Sequence, residues 1–181
     1  MKKVSIKVKL EHPIQAIKPL KDAKKVFGGA YSQFDRVFLP RSYEKTYGSV
    51  ENSPRLVIRT ETIDKNPVHL MIFKRPVNND VQFVFQTQVM DYNQTAHIIN
   101  NMGYELYAEV PKTRKRLVAG SVKFYLDEID GHGTYLKLEQ TLEDNEKPDV
   151  SGLWEILETL DLKDFAMAPK YSDMIVKESR R

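Results

Sequence analysis

With 181 residues, 41% hydrophobic and 29% charged, the chain has the length and balance of a globular protein with a substantial core. Its formal net charge of +3 is too small to argue for nucleic acid, so the placement of charge matters more than its sum. The lack of cysteine excludes disulfides and thiolate chemistry, and His12, His69, His97 and His132 have no zinc-ligand spacing. The first residues lack the apolar stretch of a signal peptide, and no run approaches the roughly 18 apolar residues of a membrane span. A cytoplasmic location with no membrane partner is the expectation.

The first segment alternates. Val4, Ile6, Val8 and Leu10 share one face, and Lys3, Ser5, Lys7 and Lys9 share the other, which predicts a strand with one packed face and one polar face. A helix is predicted from Pro13 to Phe27, bent or divided at Pro19 and closed by Gly28-Gly29, with Ile14, Ile17, Ala23 and Val26 as its apolar positions. Strands follow at Gln33 to Leu39, Arg55 to Thr62, Val68 to Lys74 and Val81 to Val89, each bounded by turn-forming residues. Asn93 to Met102 reads as a helix ended by Gly103, burying Ala96 and Ile99 with Met102 at the margin. Tyr104 to Ala119 is a long extended run, and Ser121 to Asp127 and Thr134 to Gln140 flank a tight Asp130-Gly131-His132-Gly133 turn. Val150 to Leu160 predicts an amphipathic helix with Leu153, Ile156, Leu157 and Leu160 on one face and Trp154 in the core. No repeat or linker interrupts the chain, so one domain over 1–181 is expected.

About eight strands against three helices, with hairpin-length turns, argue for a mostly antiparallel sheet in the α+β class. Closing such a sheet into a barrel removes its edges and can enclose a polar lumen. The polar faces are basic at alternate positions: Lys7 and Lys9; Arg55 and Arg59; Lys112, Arg114 and Arg116; and Lys74 at a strand end. Alternation stacks each set on one surface. For one strand, that pattern ordinarily means a solvated outer face. Four strands sharing it suit an inward cluster that grips phosphate oxygens, since like charges in a shared lumen ask for an anion.

The segment KFYLDEIDGHGTYLKLE, Lys123 to Glu139, resembles the signature of the CYTH superfamily of triphosphate tunnel proteins. That family includes class IV adenylyl cyclases, thiamine triphosphatases and inorganic triphosphatases. SIKVK, SQFDRVF, RLVIR followed by MIFKRP, MGYELYAEVPKTR and YSDMI fall where the family's other motifs are expected, in the same order. The resemblance covers nearly the whole chain. It implies a closed or nearly closed antiparallel eight-stranded barrel with a few flanking helices. It also implies a bound triphosphate or polyphosphate and phosphoryl chemistry assisted by magnesium or manganese. Carried over by position, Lys9, Arg59, Lys74 and Arg114 grip phosphates, with Lys112 a weaker member. Asp127 and Glu139 match acidic residues near the metal and the nucleophilic water.

The departures are specific. Ser5 and Lys7 stand where the first motif supplies two glutamates, and Lys137 replaces a third. Val57 replaces an arginine, with Arg55 two residues earlier on the same face, and Gln82 and Gln86 stand where the family often carries charge. Lysine offers a magnesium ion no ligand and repels it. Lys7 and Lys137 instead suit a tunnel that binds polyphosphate with no metal; the competing arrangement has the charges pairing with one another. Turnover by hydrolysis or adenylyl-cyclase-like chemistry, a non-catalytic polyphosphate or nucleotide sensor, and a nucleic-acid-binding barrel are the alternatives. The last ranks lowest, because a closed tunnel admits only a short chain. His132, Tyr125 and Tyr135 read as turn and strand residues before they read as a proton shuttle or a stacking surface. The terminal KESRR reads as a frayed basic end.

Overall fold

The computed structural model describes residues 1–22, 24–78, 80–143, 145–160, 170, 171, 173, 175 and 176. Eight strands carry the fold: β1 (Lys2–Leu10), β2 (Tyr31–Pro40), β3 (Arg55–Ile63), β4 (Asn66–Pro76), β5 (Val81–Val89), β6 (Tyr104–Ala119), β7 (Val122–Ile129) and β8 (Gly133–Leu142). They close into an antiparallel barrel in the order β1-β5-β4-β3-β2-β6-β7-β8. The longest strand, β6, pairs with β2 through its first two thirds and with β7 through its end, so one continuous run turns the wall of the barrel. Closure is uneven. Nine residue pairs join β1 to β8, from Lys2 with Leu142 to Leu10 with Thr134, whereas three join β1 to β5, from Lys2 with Phe83 to Val4 with Val81.

The barrel is apolar outside and polar within. Val4, Ile6, Val8 and Leu10 turn outward and pack beneath Leu153, Leu157 and Leu160 at helix α5 (Ser151–Thr159), with Trp154 against the same cluster. On another side, Phe38, Leu56 and Ile58 pack under Ala96 and Ile99 of helix α4 (Tyr92–Asn101). The Asp91 side chain caps that helix by accepting from the Gln94 amide at 2.8 Å. Burying the outward apolar face under helices leaves the alternate, charged face no place but the lumen.

Two sequence expectations are corrected. The predicted helix from Pro13 to Phe27 is two short helices, α1 (Pro13–Ala16) and α2 (Lys18–Asp22), divided just before Pro19. Lys24 at φ 59 takes the left-handed conformation that ends a helix, so Val26 lies outside it and is exposed. Ala16 and Leu20, four apart, form the buried face in place of Ile14, which is 80% exposed. Met102 is likewise exposed, one position past the end of α4. A one-turn helix, α3 (Tyr43–Tyr47), has no counterpart in the sequence reading because it buries no residue and so leaves no apolar periodicity. The terminal KESRR lies outside the described residues, as do parts of YSDMI.

Candidate anion-binding tunnel

The lumen holds a cavity of about 410 Å3. Among the described residues, eleven lysines and arginines line it against four aspartates and glutamates. Lys7 from β1, Arg55 and Arg59 from β3, Lys74 from β4, Lys112 and Arg114 from β6, and Lys137 and Glu139 from β8 all reach the wall. Their strands come from across the chain, and only barrel closure brings them together. Part of the lumen wall is apolar: Val37, Val57, Ile72, Val84 and Val110 line it, with Tyr171, Ile175 and Val176 packed against them. Val57, the replaced arginine, belongs to this apolar patch, between Arg55 and Arg59 on β3.

Lys9 does not join the cluster. It is on the same face of β1 as Lys7, but it is exposed and does not line the cavity. It pairs opposite Tyr135, and its stem runs over Gly133, where a Cβ would come within 3.3 Å of Lys9 Cε. The cavity-facing residues of β1 are Lys3, Ser5 and Lys7. Alternation fixes which face a residue occupies and says nothing of how far along the strand the cavity extends, so the site sits one pleat repeat earlier than the sequence suggests. Asp127 is fully buried and does not line the cavity, although it shares the β7 face of Tyr125 and bonds the lining residues Arg114 and Tyr171.

Three ion-pair networks organise the wall. Asp35 accepts from Arg59 Nε and a terminal Arg59 nitrogen at 2.7 and 2.8 Å and from Lys112 Nζ at 2.7 Å. Asp127 accepts two bonds from Arg114, at 2.5 and 2.6 Å, and one from the Tyr171 hydroxyl at 2.8 Å. Glu139 lies between Lys3 at 2.7 Å and Lys137 at 2.5 Å. Arg55 reaches Asp173 at 3.3 Å. Part of the charge is therefore paired internally, as the competing arrangement anticipated. Lys74 differs: it stands directly opposite Arg55 in the β3–β4 ladder, and no carboxylate of the described residues lies within ion-pair distance of it.

Electrostatics follow the pairing. Burial disfavours the charged forms of Asp35 and Asp127, yet the Arg59 and Arg114 guanidiniums overcome it and hold both carboxyls below the usual carboxylate range. Glu139 is held low in the same way by Lys137 and Lys3. The lysines move down as well. Burial, then the charge of Lys137, pushes Lys7 well below a normal lysine; burial, then Arg59, does the same to Lys74. Burial brings Lys112 to about 8 even though Asp35 opposes the shift.

Asp35, Lys3, Tyr171 and Asp173 are site residues that sequence reasoning did not single out. Asp35 was legible in principle, because it lies two residues from Gln33 on the same strand face. Tyr171 and Asp173 lie in the YSDMI segment, whose resemblance to the family's closing motif gave them no role; the Tyr171 ring lies 3.7 Å from Lys7 Nζ and 5.2 Å from the Tyr135 ring, contacts that only the tertiary fold creates.

The divalent cation implied by the family resemblance requires several oxygen ligands around one point. Asp127 pairs opposite Tyr135, four residues along β8 from Glu139, a separation of about 13 Å along the strand. Each carboxylate is already claimed by two cations or by a cation and a hydroxyl. Among the described residues no cluster of three or more aspartate, glutamate or histidine side chains is placed to hold a metal ion. The residues present do not fit the metal.

No family model matches the chain, and no curated protein matches it. Solved structures do. The PH1819 protein from Pyrococcus horikoshii OT3 superposes with a TM-score of 0.79 at 19% identity, over 97% of this chain and 99% of that one. A candidate adenylate cyclase from Vibrio parahaemolyticus gives 0.69 at 17% identity over 97% of each chain. HpAC1 from Hippeastrum, a candidate adenylyl cyclase with a dominant triphosphatase activity, gives 0.60 at 15% identity, over 99% of this chain and 96% of its own. At these identities the likeness is one of fold, and the chain has the closed eight-stranded tunnel architecture that its resemblance to the CYTH superfamily implies.

Proposed function

We propose that the protein binds a triphosphate-class compound, inorganic or organic, in its cationic lumen. The observation that carries this reading is the excess of lysine and arginine over acid, among the described residues, around one cavity of small-ligand size. Arg59, Lys112 and Arg114 would contribute fixed charge-assisted donors, and Lys74 and Lys7 point charges, along a chain of phosphates. A cytoplasmic setting, where such compounds abound, agrees with this reading; among the described residues no helix is long and apolar enough to cross a membrane. Isothermal titration with inorganic triphosphate, diphosphate and phosphate tests it. Affinity rising with the number of phosphates supports a tunnel that tracks the chain; no binding of triphosphate overturns the reading.

A second reading, turnover of the bound ligand by hydrolysis or by cyclisation of a nucleoside triphosphate, is favoured by Glu139, a carboxylate that lines the cavity. A screen of triphosphate, ATP and thiamine triphosphate with magnesium or manganese separates it from simple binding. If the chain turns any of these over, Glu139→Gln abolishes release of phosphate or cyclic AMP while triphosphate still binds. Unchanged turnover in that variant removes Glu139 from the mechanism.

A further inference from the structure

The carboxylates of the tunnel point to how its ligand arrives. Asp35 and Glu139 are each bound by two cationic side chains, and Asp127 by a guanidinium and a hydroxyl, within 2.5 to 2.8 Å. An incoming divalent ion would have to strip two partners from any one of them and would enter a wall already rich in positive charge. Meanwhile Lys137 stands directly across the β1–β8 ladder from Lys7, and both line the cavity. Two opposed cations on adjacent strands repel each other; Glu139 offsets part of that repulsion at Lys137, and an anion held between the two ammoniums relieves the rest. Resting on the binding reading above, we propose that the tunnel takes its polyphosphate as the metal-free anion, with the Lys7–Lys137 pair neutralising the charge that a magnesium ion neutralises in solution. Magnesium is then a competitor: it occupies the same phosphate oxygens that the lysines need, and it carries a cation into a cationic lumen.

The test is calorimetric titration of the full chain with sodium triphosphate in buffers stripped of metal on a chelating resin. EDTA is avoided because it is itself a polyanion. The titration is repeated with excess magnesium chloride and with sodium chloride of equal ionic strength, since salt alone screens the site. The expected result is binding in the stripped buffer and a dissociation constant that rises more with magnesium than with matched sodium. Binding seen only with magnesium, or strengthened by it, overturns the inference and leaves the binding reading standing. No binding under any condition overturns both. Lys137→Glu gives an independent check: exchanging a charge-assisted donor for a carboxylate costs metal-free affinity roughly tenfold or more, and magnesium ceases to weaken what remains. Lys7→Met serves beside it, with folding of each variant verified by its melting curve. If neither substitution alters the affinity or the magnesium response, the pair has no such role.

Discussion

Lys74 and Arg55 stand directly opposite one another on adjacent strands, both facing the lumen, and Lys74 has no carboxylate of the described residues within ion-pair distance. Burial, and next the charge of Arg59, disfavour its ammonium in the ligand-free barrel. Lys74→Met removes that charge and keeps the stem's volume. It raises the stability of the ligand-free chain by about 0.2–1 kcal/mol, the size of an opposed like-charge pair, and at the same time weakens triphosphate binding. Urea unfolding and titration calorimetry read the two effects separately; a loss of stability means that Lys74 is compensated in the folded chain.

The Arg114–Asp127 pair has the opposite character. Both side chains are buried, and their two parallel hydrogen bonds satisfy each other. Asp127→Ala leaves a guanidinium enclosed without its counter-ion and costs about 3–5 kcal/mol of folding stability. Denaturant midpoints measure it. A cost below about 1 kcal/mol would place the pair in the class of solvated surface bridges.

Tyr171 adds one hydroxyl to Asp127 and one ring face to Lys7. Tyr171→Phe keeps the ring and deletes a hydrogen bond to a charged acceptor, which costs about 1.5–3 kcal/mol. Tyr171→Leu loses the ring as well and is more destabilising still. Equal melting temperatures for the Phe variant and the parent would show that the hydroxyl contributes nothing.

Stability depends on pH in two windows. Asp35, Asp127 and Glu139 all have folded carboxyls held low by neighbouring cations, so each binds fewer protons when folded than when unfolded. Their contribution is complete above about pH 4, the unfolded value, and is lost as pH falls through the folded values. Lys112 acts in the same direction, in a more alkaline window. Burial lowers it to about 8 from the normal value of 10.5. Between those values the unfolded chain binds more protons than the folded one, so the ligand-free chain gains stability as pH rises through that window. Bound polyanion stabilises the charged ammonium and flattens this rise. Unfolding free energies at a series of pH values, with and without triphosphate, check both windows; a ligand-free stability that falls from pH 8 to 9.5 contradicts the lysine assignment.

Alternation made the fold legible. The apolar sets such as Val4, Ile6, Val8 and Leu10 identified strands with a packed side, and the basic sets identified the side that became the lumen. What alternation lacks is an axial coordinate. Lys9 shares a face with Lys7 yet ends outside the cavity, because the strand outruns it. Pairing across strands is equally invisible in one sequence: the register that sets Asp35 beside Arg59 and Lys7 beside Lys137 arises from ladder hydrogen bonds between segments far apart in the chain. Tyr171 reaches Lys7 and Asp127 from outside the barrel strands altogether, so no strand pattern announced it. Helix α2 ended early because Lys24 took a positive φ where the reading waited for the glycines.

The three-residue union of β1 with β5 makes the cylinder a split ring, bound firmly on seven sides and lightly clasped on the eighth. Loosening there breaks the fewest ladder bonds, so amide exchange in the wall is expected to be fastest along that seam.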